Sequence, residues 1–109
     1  MLDKTLFVAL SRPLASKEAL GAKLREHLDF MIGLEQEGVL FASGPFTDGP
    51  FGEGLTIVRA GSSAEARALL EKDPFVVDGL RTFDLREWHL MEGAIQVTVH
   101  ASSQRGLLP

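Results

Sequence analysis

No apolar run in this chain exceeds five residues before a polar group, glycine or proline interrupts it. A membrane-spanning helix needs roughly 20 such residues in a row. The core must therefore be assembled from short strands and one-sided helices, each burying a single face. Within 109 residues there is material for one such core, since domains commonly run to about 100–150 residues.

The order of these segments defines the fold class. Residues 6–10, Leu-Phe-Val-Ala-Leu, end at Ser11-Arg12-Pro13 and read as a buried first strand. Over residues 19–37 the pattern becomes helical: Leu20, Leu24, His27, Leu28, Met31 and Leu34 recur at three- and four-residue spacings, and Gly38 suits the left-handed stop. Residues 39–43 predict a second strand ending at Gly44-Pro45. Residues 46–54 are rich in glycine and proline and predict a loop, and residues 55–59 a third strand. Ser62 or Ser63 caps a second helix whose buried side is Ala66, Leu69 and Leu70, and Asp73-Pro74 ends or breaks it. Residues 75–80 follow as a connector. Residues 82–92 predict a fourth strand with a change of phase. Phe83 and Leu85 fit one face, Trp88 and Leu90 the other, and a bulge near Arg86-Glu87 would reconcile them. Ile95, Val97 and Val99 alternate with polar residues and predict an extra C-terminal strand, so one domain is expected over residues 1–100, with a short, mobile polar tail at 101–109.

Strand–helix–strand–strand–helix–strand is the split βαβ order of ferredoxin-like α+β domains, an antiparallel sheet with both helices on one face. The other face carries apolar residues and needs a cover. In so short a chain a second copy of the same sheet is the economical one, so a homodimer is expected.

Composition removes several function classes. With no cysteine there are no disulfides and no thiolate metal sites or nucleophiles. A net charge of −4 without a basic block gives nucleic acid no footprint. His89 and His100 lack a ligand partner at metal spacing, so neither a metal nor another cofactor is expected. Gly52-Glu53-Gly54 precedes a strand instead of opening a helix, the wrong context for a phosphate cradle. The opening residues lack a signal core, and the cytoplasm is the expected compartment.

Three ordered segments resemble the YciI-like (YCII-related) family: Glu26-His27-Leu28-Asp29-Phe30 with Glu37-Gly38-Val39-Leu40, then Ala42-Ser43-Gly44-Pro45-Phe46, then Asp73-Pro74-Phe75-Val76-Val77-Asp78-Gly79-Leu80. The resemblance implies a dimeric α/β-barrel-like pair of ferredoxin folds and a site built from His27 and Asp73. Related enzymes act on chlorinated muconolactones, with proton removal and chloride loss, and muconolactone isomerases share the broader fold. Fold sharing alone does not transfer chemistry.

On the residues themselves, His27 lies on an apolar helix stripe, and neutral imidazole is a competent base near pH 7. Asp73 could hold one ring nitrogen while the other takes a proton from a carbon acid. A histidine in that position serves equally as a hydrogen-bonded core residue, and Asp before Pro equally starts a turn. Ser43, Gly44 and Pro45 are candidate contacts for an anionic oxygen, or simply a tight turn. Arg59, Arg81 and Arg86 are candidate carboxylate contacts or strand-edge charges. The leading expectation is a cofactor-independent enzyme that isomerises, or eliminates from, a small anionic acid or lactone. The alternatives are a dimeric binding or accessory protein that holds a metabolite or a larger protein without transforming it, and a structural partner whose polar pair only specifies the fold.

Overall fold

The computed structural model describes residues 4–94. The strand expected at 95–100 and the tail at 101–109 lie outside the described residues. The chain runs β1 (Lys4–Pro13), α1 (Lys17–Gln36), β2 (Leu40–Pro45), β3 (Gly54–Val58), α2 (Ser63–Leu70), α3 (Pro74–Val77) and β4 (Arg81–Leu90). The sheet order is β2-β3-β1-β4 and every neighbouring pair is antiparallel. This is the ferredoxin-like α+β arrangement.

Local chemistry explains the helix ends. The Ser16 hydroxyl accepts from the Ala19 N–H at 3.2 Å and starts α1 two residues earlier than the apolar stripe suggests. At the other end Gly38 takes φ +76°, and the Val39 N–H reaches back to the Leu34 carbonyl at 2.9 Å. That left-handed stop is cheap only for glycine. Ser62 caps α2 through the Glu65 N–H at 3.1 Å.

Directly paired residues project to the same face of an antiparallel sheet. Phe7, Ala9 and Val58 therefore share the helix-covered face with Phe83 and Leu85, and pack on Ala66 and Leu70. Phe7 and Val58 are almost wholly buried, each worth roughly 1.5–3 kcal/mol relative to exposure. The opposite face carries Val8, Leu10, Leu55, Ile57 and Trp88, of which Leu10 and Trp88 remain 41% exposed.

Three expectations need correction. β4 pairs with β1 in one unbroken register from Pro13↔Arg81 to Lys4↔Leu90, so no bulge occurs at Arg86-Glu87. The apparent change of phase arises because both faces of this strand carry apolar residues. The register shift lies instead between Leu40 and Ala42, where the ring of the intervening Phe41 sits 5.1 Å beneath the Arg59 guanidinium. The α1 stripe is also narrower than its spacing implies. Leu20 and Leu34 are buried, whereas Leu24 and Leu28 are 46% and 43% exposed. Leu20, His27 and Leu34 fall on one line along a helix of 3.6 residues per turn, and Leu24 and Leu28 drift to its flank. Finally, Asp73-Pro74 does not end α2, which is capped at Glu71; it starts α3.

Candidate functional site

Asp followed by Pro is a helix-starting pair: aspartate accepts from a free first-turn N–H, and proline at the first position lacks an N–H to waste. Asp73 does this for α3, accepting from the Phe75 N–H at 2.9 Å. After that single turn Gly79 takes φ +70°, and the Leu80 N–H closes onto the Phe75 carbonyl at 2.8 Å. This short closed segment carries Asp73 at one end and delivers Arg81, the first residue of β4, at the other.

The capping carboxylate also meets α1. The Nδ1 of His27 lies 3.0 and 2.9 Å from the two Asp73 oxygens, and the side chains are 22% and 13% exposed. The buried Phe75 ring stacks on the imidazole, with centroids 4.4 Å apart and planes 19° from parallel. His27 is thus held by a hydrogen bond in its plane and an aromatic face against it. A carboxylate only accepts, so Nδ1 carries the hydrogen and Nε2 of the neutral ring keeps its lone pair. Among the described residues nothing bonds Nε2, and no buried side-chain nitrogen lacks a partner, so Nε2 reaches solvent. A tethered imidazole with one open basic nitrogen can take up a proton, and the adjacent carboxylate stabilises the imidazolium that forms.

Arg81 stands beside this pair. Its Nε–H donates to the Ser11 hydroxyl at 2.9 Å and its Nη2 donates to the Gly52 carbonyl. Gly52 lies against Pro13 with φ +81°, where an added Cβ would come within 2.9 Å of the ring. The glycine-rich loop is therefore held on the end of β1. Burial pushes the Arg81 guanidinium below its ordinary value, and the charge of Asp73 opposes that shift. Sequence reasoning set Arg81 equal with Arg59 and Arg86. The usable signal was its position just past the Asp-Pro turn. Lys23, one helical turn before His27, pairs with Asp78 at 3.0 Å; that hydrogen bond, and then the nearby negative charges, raise the ammonium above its ordinary value.

Ser43, Gly44 and Pro45 end β2 in exposed positions. With Ala42, Phe46, Leu55 and Ile57 they line an open hollow of about 220 Å³. A second hollow of about 410 Å³ lies along Val8, Leu10, Leu55, Ile57, Arg86, Glu87 and Trp88. Leu55 and Ile57 belong to the sheet face that the helices leave open, and no described contact joins Ser43, Gly44 or Pro45 to His27 or Asp73. Among the described residues no three His, Asp or Glu side chains converge as a metal site, and no helix is long and apolar enough to cross a membrane.

The model of the YCII-related domain family matches residues 5–89, from the first strand to the penultimate residue of β4. The chain belongs to the YCII-related family. Among solved structures it is similar to 5-chloro-2-hydroxyhydroquinone dehydrochlorinase (TftG) from Burkholderia phenoliruptrix AC1100, in complex with 2,5-dihydroxybenzoquinone. The two are 21% identical with a TM-score of 0.57, covering 76% of this chain and 92% of that one. This similarity bears on the fold of the YCII-related chain. It is also similar to an uncharacterized NIPSNAP domain protein from Burkholderia xenovorans, at 14% identity and a TM-score of 0.47 over 86% of this chain and 99% of that one, too distant a superposition to bear on function. No curated protein matches the chain.

Proposed function

We propose that this protein is a cofactor-independent enzyme that abstracts a proton from a small organic acid, lactone or acidic ring compound, leading to elimination or isomerisation. The observation that carries the reading is His27, gripped at Nδ1 by Asp73 and open at Nε2. In the elimination, Nε2 takes the proton, the C–H electron pair becomes a new double bond, and the leaving group departs with its own bonding pair. In the isomerisation, the same nitrogen returns the proton to a different carbon. Loss of HCl, the reaction in the name of the structurally similar dehydrochlorinase, is a case of the first.

The test is a turnover screen of small carboxylates, lactones and chlorinated hydroxyquinols, followed by His27→Ala on whatever substrate emerges. General-base catalysis contributes about 10²–10⁴-fold, and a loss of kcat in that range is expected. Unchanged turnover in the variant would remove His27 from the chemistry. We further propose a homodimer in which the exposed Leu10 and Trp88 face is covered by a second copy. Sedimentation should return twice the chain mass, and Trp88→Glu should return one.

A second reading has its own observation. The hollow beside Ser43, Gly44 and Pro45 has no described contact with the dyad, as expected of a protein that holds a ligand without transforming it. Saturable binding lost in Ser43→Trp, with no product after long incubation, would favour it.

A further inference from the structure

Arg81 differs from the other described arginines in where its charge goes. Arg12 meets Asp84, Arg25 meets Asp29 and Arg67 meets Glu71, all on exposed surface. Arg59 and Arg86 are exposed too, Arg59 resting on Phe41 and the Gly38 carbonyl. Arg81 is half-buried, yet the oxygens it bonds, on Ser11 and Gly52, are both neutral. The carboxylate whose field it feels, Asp73, is already committed to His27 through both oxygens and to the Phe75 N–H through one. A guanidinium taken partly out of water without a bonded counter-ion is under-compensated, and its lowered proton affinity reports this. Its remaining nitrogen, Nη1, has no bond to any described residue. Since no buried side-chain nitrogen is left unpaired, Nη1 reaches solvent as Nε2 of His27 does.

We propose that Arg81 is the anion-binding residue of the His27–Asp73 site, holding a carboxylate or enolate-type oxygen of a small monoanionic substrate. The bonds to Ser11 and Gly52 fix the guanidinium plane, so the fork is oriented before a ligand arrives and little side-chain freedom is lost on binding. A planar anion on Nη1 supplies the missing counter-charge. It also stabilises negative charge that builds on the substrate oxygen as the neighbouring carbon loses its proton. The placement of that carbon toward His27 rests on the proton-abstraction reading; the anion binding does not.

Benzoate and benzamide share a ring and differ in charge, and so separate anion recognition from ring binding. Each is titrated into ¹⁵N-labelled full-length protein while the Arg81 Nε–H and His27 imidazole signals are followed. Benzoate should shift both signals saturably and bind at least ten-fold more tightly than benzamide. Arg81→Gln should abolish that preference, and Arg81→Lys should restore part of it, which a merely structural role would not predict. Equal binding of the two compounds, no saturable shift with benzoate, or an unchanged preference in Arg81→Gln would overturn the assignment. If Arg81→Gln proves unfolded by its melting curve, the wild-type preference and the Arg81→Lys titration decide the matter. The two readings also fail separately. An Arg81-dependent benzoate preference beside unimpaired turnover in His27→Ala leaves the anion site standing and removes the proton abstraction. The reverse pattern removes Arg81 alone.

Discussion

The two places where the sequence offers site residues are built very differently. At the α1–α3 contact, His27 is hydrogen-bonded to Asp73, Asp73 caps the next helix, and Phe75 stacks on the imidazole. Each side chain there is held by at least two interactions. At the end of β2, Ser43, Gly44 and Pro45 are exposed and placed by strand pairing with Thr56, Leu55 and Gly54. A catalytic group must be held in one rotamer and one tautomer to act repeatedly, and only the first region supplies that. The second is suited to touching a ligand that something else positions.

The largest test of this contrast is to remove an aromatic from each region. Phe75→Ala should cost about 3–5 kcal/mol, because it empties a buried site and strips the imidazole of its stacking partner. Phe46→Ala, beside the β2 hollow and 46% exposed, should cost under about 1 kcal/mol in the same denaturant titration. Comparable losses would mean that the β2 end is as firmly built as the dyad.

A smaller effect is expected from the polar groups. Asp73→Ala removes a helix cap and a charge-assisted hydrogen bond together, worth about 2–3 kcal/mol. It should also release the Nδ1–H tautomer, visible in the ¹⁵N spectrum of the imidazole. Ser43→Ala should stay within about 0.5 kcal/mol and leave that spectrum unchanged. A silent Asp73→Ala would show that the dyad hydrogen bond does not persist in solution.

The smallest effect sharpens the comparison within the first region. Lys23–Asp78 runs parallel to His27–Asp73, from α1 to the end of α3, but is solvent-exposed. The Lys23 ammonium is raised in the folded protein, so its contribution is fully present below the ordinary lysine value of 10.5 and fades as pH climbs through the raised one. Asp78→Asn should therefore lower the melting temperature slightly near neutral pH, with the gap to wild type closing in strong alkali. A gap as wide as that of Asp73→Ala would mean that exposure makes no difference to these parallel pairs.

Much of the fold was legible because it is written in local periods. Short apolar runs ending at polar residues, glycine or proline marked the first three strands, the Leu20 to Leu34 spacing marked α1, and Gly38 marked its end. The errors came where one pattern serves two structures. Alternation in residues 82–92 could not say that both sheet faces are apolar, so a register continuous with β1 looked like a bulge. Asp-Pro ends one helix or starts another with the same atoms, and only the Phe75 N–H shows which. Leu24 and Leu28 satisfy the helical spacing, yet lie at the edge of what the sheet can cover.

By itself the sequence determined the order of the four strands and the two longer helices, the glycine stop of α1, a serine cap for α2, the absence of any thiol chemistry, and that a histidine lies on the inward side of the first helix. Those are properties of neighbours along the chain, set by rotamers, propensities and spacing. Only the tertiary structure decided that His27 meets a carboxylate 46 positions away, that Phe75 stacks on it, and that Arg81, at the start of the edge strand β4, lies half-buried with its bonds to neutral oxygens. Such pairings depend on how α1 and the turn after α2 pack on one sheet face. That packing is set by the summed burial of Phe7, Ala9, Val58 and Leu70, to which the polar residues of the site contribute almost nothing.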